Sequence, residues 1–202
     1  NELNIPKASM QIIDEERSAQ ITEKFKDYEK IMAPGGSAAN TIHGLAKLGI
    51  ETGFISYIGK DNIGEFFEKS MNSVGVKPIV FHSDLPSGTA FAIVSSDGER
   101  TFATHLGAST ELNDSIITDE LFTAWDYFYV EGYLIANVPL FRKAIMKAKE
   151  NNCKVILDLA SYNVVESNRD VLNEMLPYID IVFANEEEAK SLTNMSAEDS
   201  LH

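Results

Sequence analysis

The chain has 202 residues, 44% of them apolar, which is enough for one sizeable core and too few for two large domains. Its 31 acidic and 17 basic residues leave a net charge of −14. Such a surface repels phosphate backbones and anionic lipid, which disfavours nucleic-acid and membrane partners. A nucleotide is not excluded, because backbone N–H groups and a metal ion can take up its phosphates. The lysines and arginines form no patch; Arg142, Lys143, Lys147 and Lys149 lie scattered along one predicted helix. No apolar run reaches the length of a bilayer span and no charged-then-apolar leader opens the chain. The single cysteine, Cys153, excludes an internal disulfide, and together these features suit a cytoplasmic protein. The chain opens on Asn1 rather than methionine, so we expect residues upstream.

In chain order, Pro34-Gly35-Gly36-Ser37-Ala38-Ala39-Asn40 follows a short Ile31-Met32-Ala33 segment and opens a helix with Ala38, Ala39, Ile42, Leu45 and Ala46 on its buried face. The apolar run Phe54–Ile58 predicts a strand. The spacing of Ile63, Phe66, Phe67, Ser70, Met71 and Val74 predicts a helix over 61–75, capped by Asp61 and ended by Gly75. Two extended segments, 89–94 and 100–105, are joined by a turn containing Asp97-Gly98 with no helix between them, so an antiparallel hairpin is predicted. It would form a small sheet apart from the main one, used as a lid, as an oligomer interface or as an edge ornament. Strands at 127–130, 155–157 and 181–183 follow, with a helix over 137–150 whose first turn holds Pro139 and whose stripe is Phe141, Ala144, Ile145 and Ala148. Short apolar runs alternating with helices indicate a parallel α/β sheet whose strands are covered on both faces. Ligands bind such sheets beyond the carboxyl ends of the strands.

Three sets of residues carry candidate chemistry. Gly35 and Gly36 permit unusual backbone angles and close approach of a ligand, and the helix start offers N–H donors. Asn40, opposite the apolar stripe, can donate and accept, as reading a polyhydroxylated ligand requires; an ordinary turn and helix start accounts for the same residues. Asn185-Glu186-Glu187-Glu188 follows a strand and reads equally as a helix capping box. Asp158, at a strand end, points to the same side of the sheet or caps a nearby turn. The four histidines show no metal-ligand spacing, Cys153 reads as structural, and no Gly-x-Gly-x-x-Gly follows a strand to support a dinucleotide-dependent oxidoreductase.

The order Gly35-Gly36…Asn40, Leu48-Gly49, Tyr57-Ile58-Gly59-Lys60-Asp61 resembles the first signature of the PfkB, or ribokinase-like, family. The segments Ser87-Gly88-Thr89-Ala90 and Gly98-Glu99-Arg100-Thr101 resemble its lid strands, and Ile5–Met10 leans toward the adenosine-kinase-like branch. The resemblance implies a single Rossmann-like α/β domain over 1–202, incomplete here, with a mostly parallel sheet flanked by helices and a β-lid at about 86–106. It implies an ATP- and Mg2+-dependent kinase acting on a hydroxyl of a sugar or nucleoside. Gly35, Gly36 and Asn40 would hold substrate hydroxyls, with Tyr133 and Arg100 as further substrate contacts. A partly buried core tyrosine and a solvated arginine are the competing readings of the last two. Asn185 and Glu188 would serve the nucleotide phosphates and the magnesium water shell.

The family's Gly-Ala-Gly-Asp signature, which supplies the catalytic aspartate and an anion hole, has no counterpart before Leu201-His202, and its first strand would precede Asn1. We therefore expect a segment of a longer kinase. A complete product of this length is expected to be an inactive sugar- or nucleoside-binding protein. The hairpin also offers edges through which a second copy could pair as a homodimer.

Overall fold

The computed structural model describes residue 5 and residues 10–199 except 96 and 197. The expected signals at Pro6–Ser9 and Leu201-His202, and Ser96 of the hairpin turn, lie outside the described residues. The chain divides into two compact units, Asn1–Leu112 and Asn113–His202.

In the first unit, β1 (Met10–Ile12) leads into α1 (Glu15–Lys24), whose start is capped by the Asp14 side chain accepting from the Arg17 N–H. Next come α2 (Ser37–Lys47), β2 (Thr52–Gly59), α3 (Asn62–Ser73) and β3 (Val76–Ser83). β2 and β3 pair in parallel from Thr52↔Val76 to Gly59↔Ser83 and form a βαβ unit with α3 as the crossover. Asp61 caps α3 and Gly75 ends it at φ +89°, both as the spacing predicts. The core beside these strands is Ala39, Met71 and Val76, with Ile42, Ala46, Phe54 and Phe67 packed against it. That joins the apolar stripes of α2 and α3 over one pair of strands, the arrangement an amphipathic helix needs to bury its face.

The predicted hairpin is present with its bounds intact. β4 (Thr89–Val94) and β5 (Arg100–His105) pair antiparallel from Thr89↔His105 to Val94↔Arg100. Gly98 takes φ +85° in the turn, an angle that costs glycine little. The hairpin does not stand alone: β1 pairs in parallel with β5, giving a three-stranded sheet in the order β1-β5-β4. One face of this sheet rests on α1 through Ile21, Phe25, Phe91 and Ala103. Met10, Ile12 and Val94, 51%, 65% and 63% exposed, belong to the opposite face.

The second unit holds β6 (Tyr127–Glu131), α4 (Val138–Glu150), β7 (Lys154–Asp158), α5 (Tyr162–Ser167), α6 (Arg169–Met175), β8 (Ile181–Phe183) and α7 (Glu186–Thr193). β6, β7 and β8 form a parallel sheet in chain order, so an α/β fold with parallel sheets is present in both units. The core is Phe141, Ile145, Val155, Leu157, Leu159, Val165 and Leu172, all at most 1% exposed. β8 departs from the expectation of strands covered on both faces: Ile181, Val182 and Phe183 are 41%, 39% and 55% exposed. As the last strand of its sheet, β8 has a partner only in β7 among the described residues.

Candidate functional site

The predicted site residues fall in both units: Gly35, Gly36, Asn40 and Arg100 in the first, Tyr133, Asn185 and Glu188 in the second. Gly36 is the N-cap of α2 at φ +102° and ψ 132°, a conformation that requires glycine. Its carbonyl accepts from the Asn40 N–H at 2.8 Å, starting the helix, and no side chain caps α2. The first-turn N–H groups therefore depend on partners outside the helix. Gly35 is different: a Cβ there would meet nothing within 4 Å. Asn40 is exposed on the side opposite buried Ala39, as the stripe predicts. Arg100 is exposed at the first position of β5, opposite Val94 and beside the hairpin turn, at the end of the lid farthest from its root at Thr89 and His105.

The loop that carries the chain into the lid is bound by Asp61, the carboxylate that caps α3 and ends the first signature. Asp61 Oδ1 accepts from the Gly64 N–H at 2.8 Å and from the Ser87 hydroxyl at 2.7 Å, while Oδ2 accepts from the Ser87 N–H at 2.8 Å. The Ser87 hydroxyl in turn accepts from the Gly59 N–H at 2.9 Å. Burial pushes the Asp61 carboxyl up, but the bonds from Ser87 and Gly64 outweigh it and hold the group below its ordinary value.

In the second unit, polar groups gather at the carboxyl ends of the parallel strands, where a sheet of this kind binds ligands. Glu131 ends β6 opposite Asp158, which ends β7 opposite Phe183 of β8. Asp158 Oδ1 accepts from the Ala160 N–H at 2.9 Å and Oδ2 from the Tyr129 hydroxyl at 3.0 Å. It thus caps the turn after β7, one of its two expected roles. Tyr133, 47% exposed, donates to the Ala160 carbonyl at 3.4 Å. Burial, and then the charges of Glu131, Glu188 and Asp158, push its phenol up. Tyr133 and Glu188 therefore share one electrostatic neighbourhood with Asp158 and with Glu131, a residue outside the predicted site. Its signal was available, since Glu131 directly follows the apolar run 127–130.

Asn185 and Glu188 form a complete capping box at the start of α7. The Asn185 side chain accepts from the Glu188 N–H at 2.9 Å. The Glu188 carboxylate accepts from the Asn185 N–H at 2.9 Å and from Asn185 Nδ2 at 2.8 Å. Glu188 is only 6% exposed, and these bonds satisfy its carboxylate oxygens in that buried place.

The model of the pfkB family of carbohydrate kinases matches residues 9–201. The chain belongs to that family. Among curated PfkB relatives, adenosine kinase of Dictyostelium discoideum is 28% identical over 190 residues, covering 90% of this chain and 56% of its own. Ribokinase of Haemophilus influenzae is 28% identical over 170 residues, covering 83% and 54%. The crystal structure of adenosine kinase from Sinorhizobium meliloti superimposes with a TM-score of 0.83 at 28% identity, over 99% of this chain and 63% of that one. The chain thus spans about half the length of the curated PfkB relatives it matches. The ribokinase-like α/β fold expected from the signature is the fold of this PfkB chain.

Proposed function

We propose that the natural protein is a kinase transferring the γ-phosphoryl group of ATP to a hydroxyl of a sugar or nucleoside. The catalytic aspartate lies outside this chain, and residues 1–202 belong to one incomplete ribokinase-like domain. The observation that carries this reading is the match to the PfkB family over residues 9–201, with its first signature realised as the uncapped, glycine-initiated start of α2. Gly35, Gly36 and Asn40 bind substrate hydroxyls, Tyr133 and Arg100 add contacts, and the lid sheet covers the bound molecule.

Asn185 and Glu188 face the nucleotide phosphates and Mg2+. The residues fit the ion in an indirect role: both Glu188 oxygens are engaged by Asn185, and each keeps acceptor capacity for a water that the metal holds. The neighbouring Glu131 and Asp158 add negative charge to the same strand ends. When bound, Mg2+ neutralises charge on the transferred phosphoryl group.

The acidic surface supports a cytoplasmic enzyme that takes no polyanionic partner, nucleic acid or anionic membrane. A homodimer through the lid is supported by the exposed apolar side chains of β1 and β4 and is tested by light scattering. The kinase reading is tested by Asn40→Ala in the natural protein: KM for the acceptor rises about tenfold or more while KM for ATP is unchanged. Equal loss for both substrates would remove Asn40 from the acceptor site.

A further inference from the structure

The lid sheet is joined to the β2–β3 layer by two crossings, Asp84–Gly88 entering β4 and Leu106–Ala108 leaving β5. These crossings are laced together. The Ala108 N–H donates to the Pro86 carbonyl at 2.8 Å. A Cβ on Gly107 (φ +51°) would lie 2.2 Å from that same carbonyl oxygen, and one on Gly88 would lie 2.7 Å from the Leu106 carbonyl oxygen. The laced pair is bound in turn to the end of β2 and the start of α3 through Asp61 and Ser87. All of the knot's partners are within the first unit, and Ser87 is 4% exposed. Gly59 has no space for a Cβ either, which would stand 2.6 Å from the Leu85 carbonyl oxygen and the Ser87 nitrogen. Backbone crowded this closely cannot slide, and a satisfied buried network resists distortion.

Beyond the knot the sheet is held on one face only, by α1. A cleft of about 250 Å3, lined by Ile12, Leu85, Pro86, His105 and Leu106 among others, opens beside the crossings. β4 has alternating exposed positions and its outer edge is unpaired among the described residues, while β5 buries Thr101 and Ala103. A stiff root with free volume next to it and, beyond it, a sheet packed on one face only is the mechanical arrangement of a hinge.

We infer that the Asp61–Ser87 knot is the fixed root of the lid, and that Asp61 and Ser87 are positioning residues that set the angle from which the β1-β5-β4 sheet closes. The inference deepens the proposed function by naming what aligns the lid, and it rests on that reading only in taking the substrate as what the lid covers. Ser87→Ala strands the Gly59 N–H and removes one bond from Asp61. Asp61→Asn keeps the shape of the side chain but places an amide nitrogen against one set of donors.

The test is hydrogen–deuterium exchange on the full natural protein, which needs no catalysis. Both variants are expected to speed amide exchange in 89–94 and 100–105 by about tenfold, while β6–β8 keep their wild-type rates. Ser87→Thr, which retains the hydroxyl, is expected to restore slow exchange. In turnover, KM for the acceptor should rise with KM for ATP unchanged. Unaltered exchange across 89–105 in both variants overturns the inference, and so does equal acceleration in 52–59 and 76–83, which would mark general loosening. An absence of phosphoryl transfer in the wild type would overturn the kinase reading and leave the exchange result standing.

Discussion

Glu188 offers a way to separate a helix cap from a magnesium-positioning group, because its bonds are few and its burial nearly complete. In Glu188→Gln, one carboxylate oxygen becomes an NH2 group that must face either the Asn185 N–H or Asn185 Nδ2, both donors. Flipping the Asn185 amide to compensate would lose the acceptor for the Glu188 N–H. One charge-assisted bond is therefore lost and a buried donor stranded, a cost of roughly 1.5–3 kcal/mol. Asn185→Ala removes the cap, about 1 kcal/mol, and in addition the Nδ2 bond to a buried charge. Thermal unfolding followed by circular dichroism should show both variants melting lower, by roughly 4–8 °C for a loss of about 2 kcal/mol in a protein of this size and by less in a longer one. The decisive readout is the Mg2+ concentration giving half-maximal phosphoryl transfer in the natural protein. Groups that orient the shell of a metal typically change its affinity ~10–100-fold, so that midpoint should rise about tenfold or more in Glu188→Gln. Lower melting with an unchanged Mg2+ midpoint would refute the metal role and leave Glu188 a capping residue alone.

Further outcomes follow from other positions. Gly36→Ala forces a side chain into φ +102° and should cost of order 1–3 kcal/mol in denaturant unfolding, whereas Gly35→Ala, with open space and no positive φ, should stay within about 0.5 kcal/mol. Phe141→Ala, at a fully buried site, should destabilise by about 3–5 kcal/mol in the same measurement. Asp61 is held below its ordinary value, so its contribution is present above the unfolded carboxyl value and is lost as pH falls through the lower folded one. Protection of the lid strands, taken relative to the intrinsic exchange rate at each pH, should therefore fall at acid pH in the wild type and change less in Asp61→Asn. Burial pushes the Cys153 thiol up, so alkylation by iodoacetamide near neutral pH should be slow and should follow the unfolding rate.

What could be read from the sequence was mostly local. The helix over Asn62–Ser73 carries its own cap in Asp61 and its own stop in Gly75, and the hairpin carries its turn glycine, so the helix was legible to within its caps and the hairpin to the residue. β1 was not, because three residues have no periodicity and their pairing with β5 spans about ninety residues of chain. β3 was hidden by Pro78, a residue that argues against a strand. The short helices α5 and α6 offer too few turns for a stripe to show. At the candidate site the glycine start and the capping box were visible as motifs. The knot was not, since Asp61 and Ser87 lie 26 positions apart and each has a sufficient local explanation.

The proposed function stands on phosphoryl transfer by the natural protein. The most direct measurement incubates the purified natural protein with γ-labelled ATP, with and without Mg2+, against a panel of sugars and nucleosides, and follows label in the acceptor by mass spectrometry. Mg2+-dependent transfer to the hydroxyl of at least one member is expected. Binding of a sugar or nucleoside with no transfer to any of them would contradict it and leave a ligand-binding protein on a kinase fold.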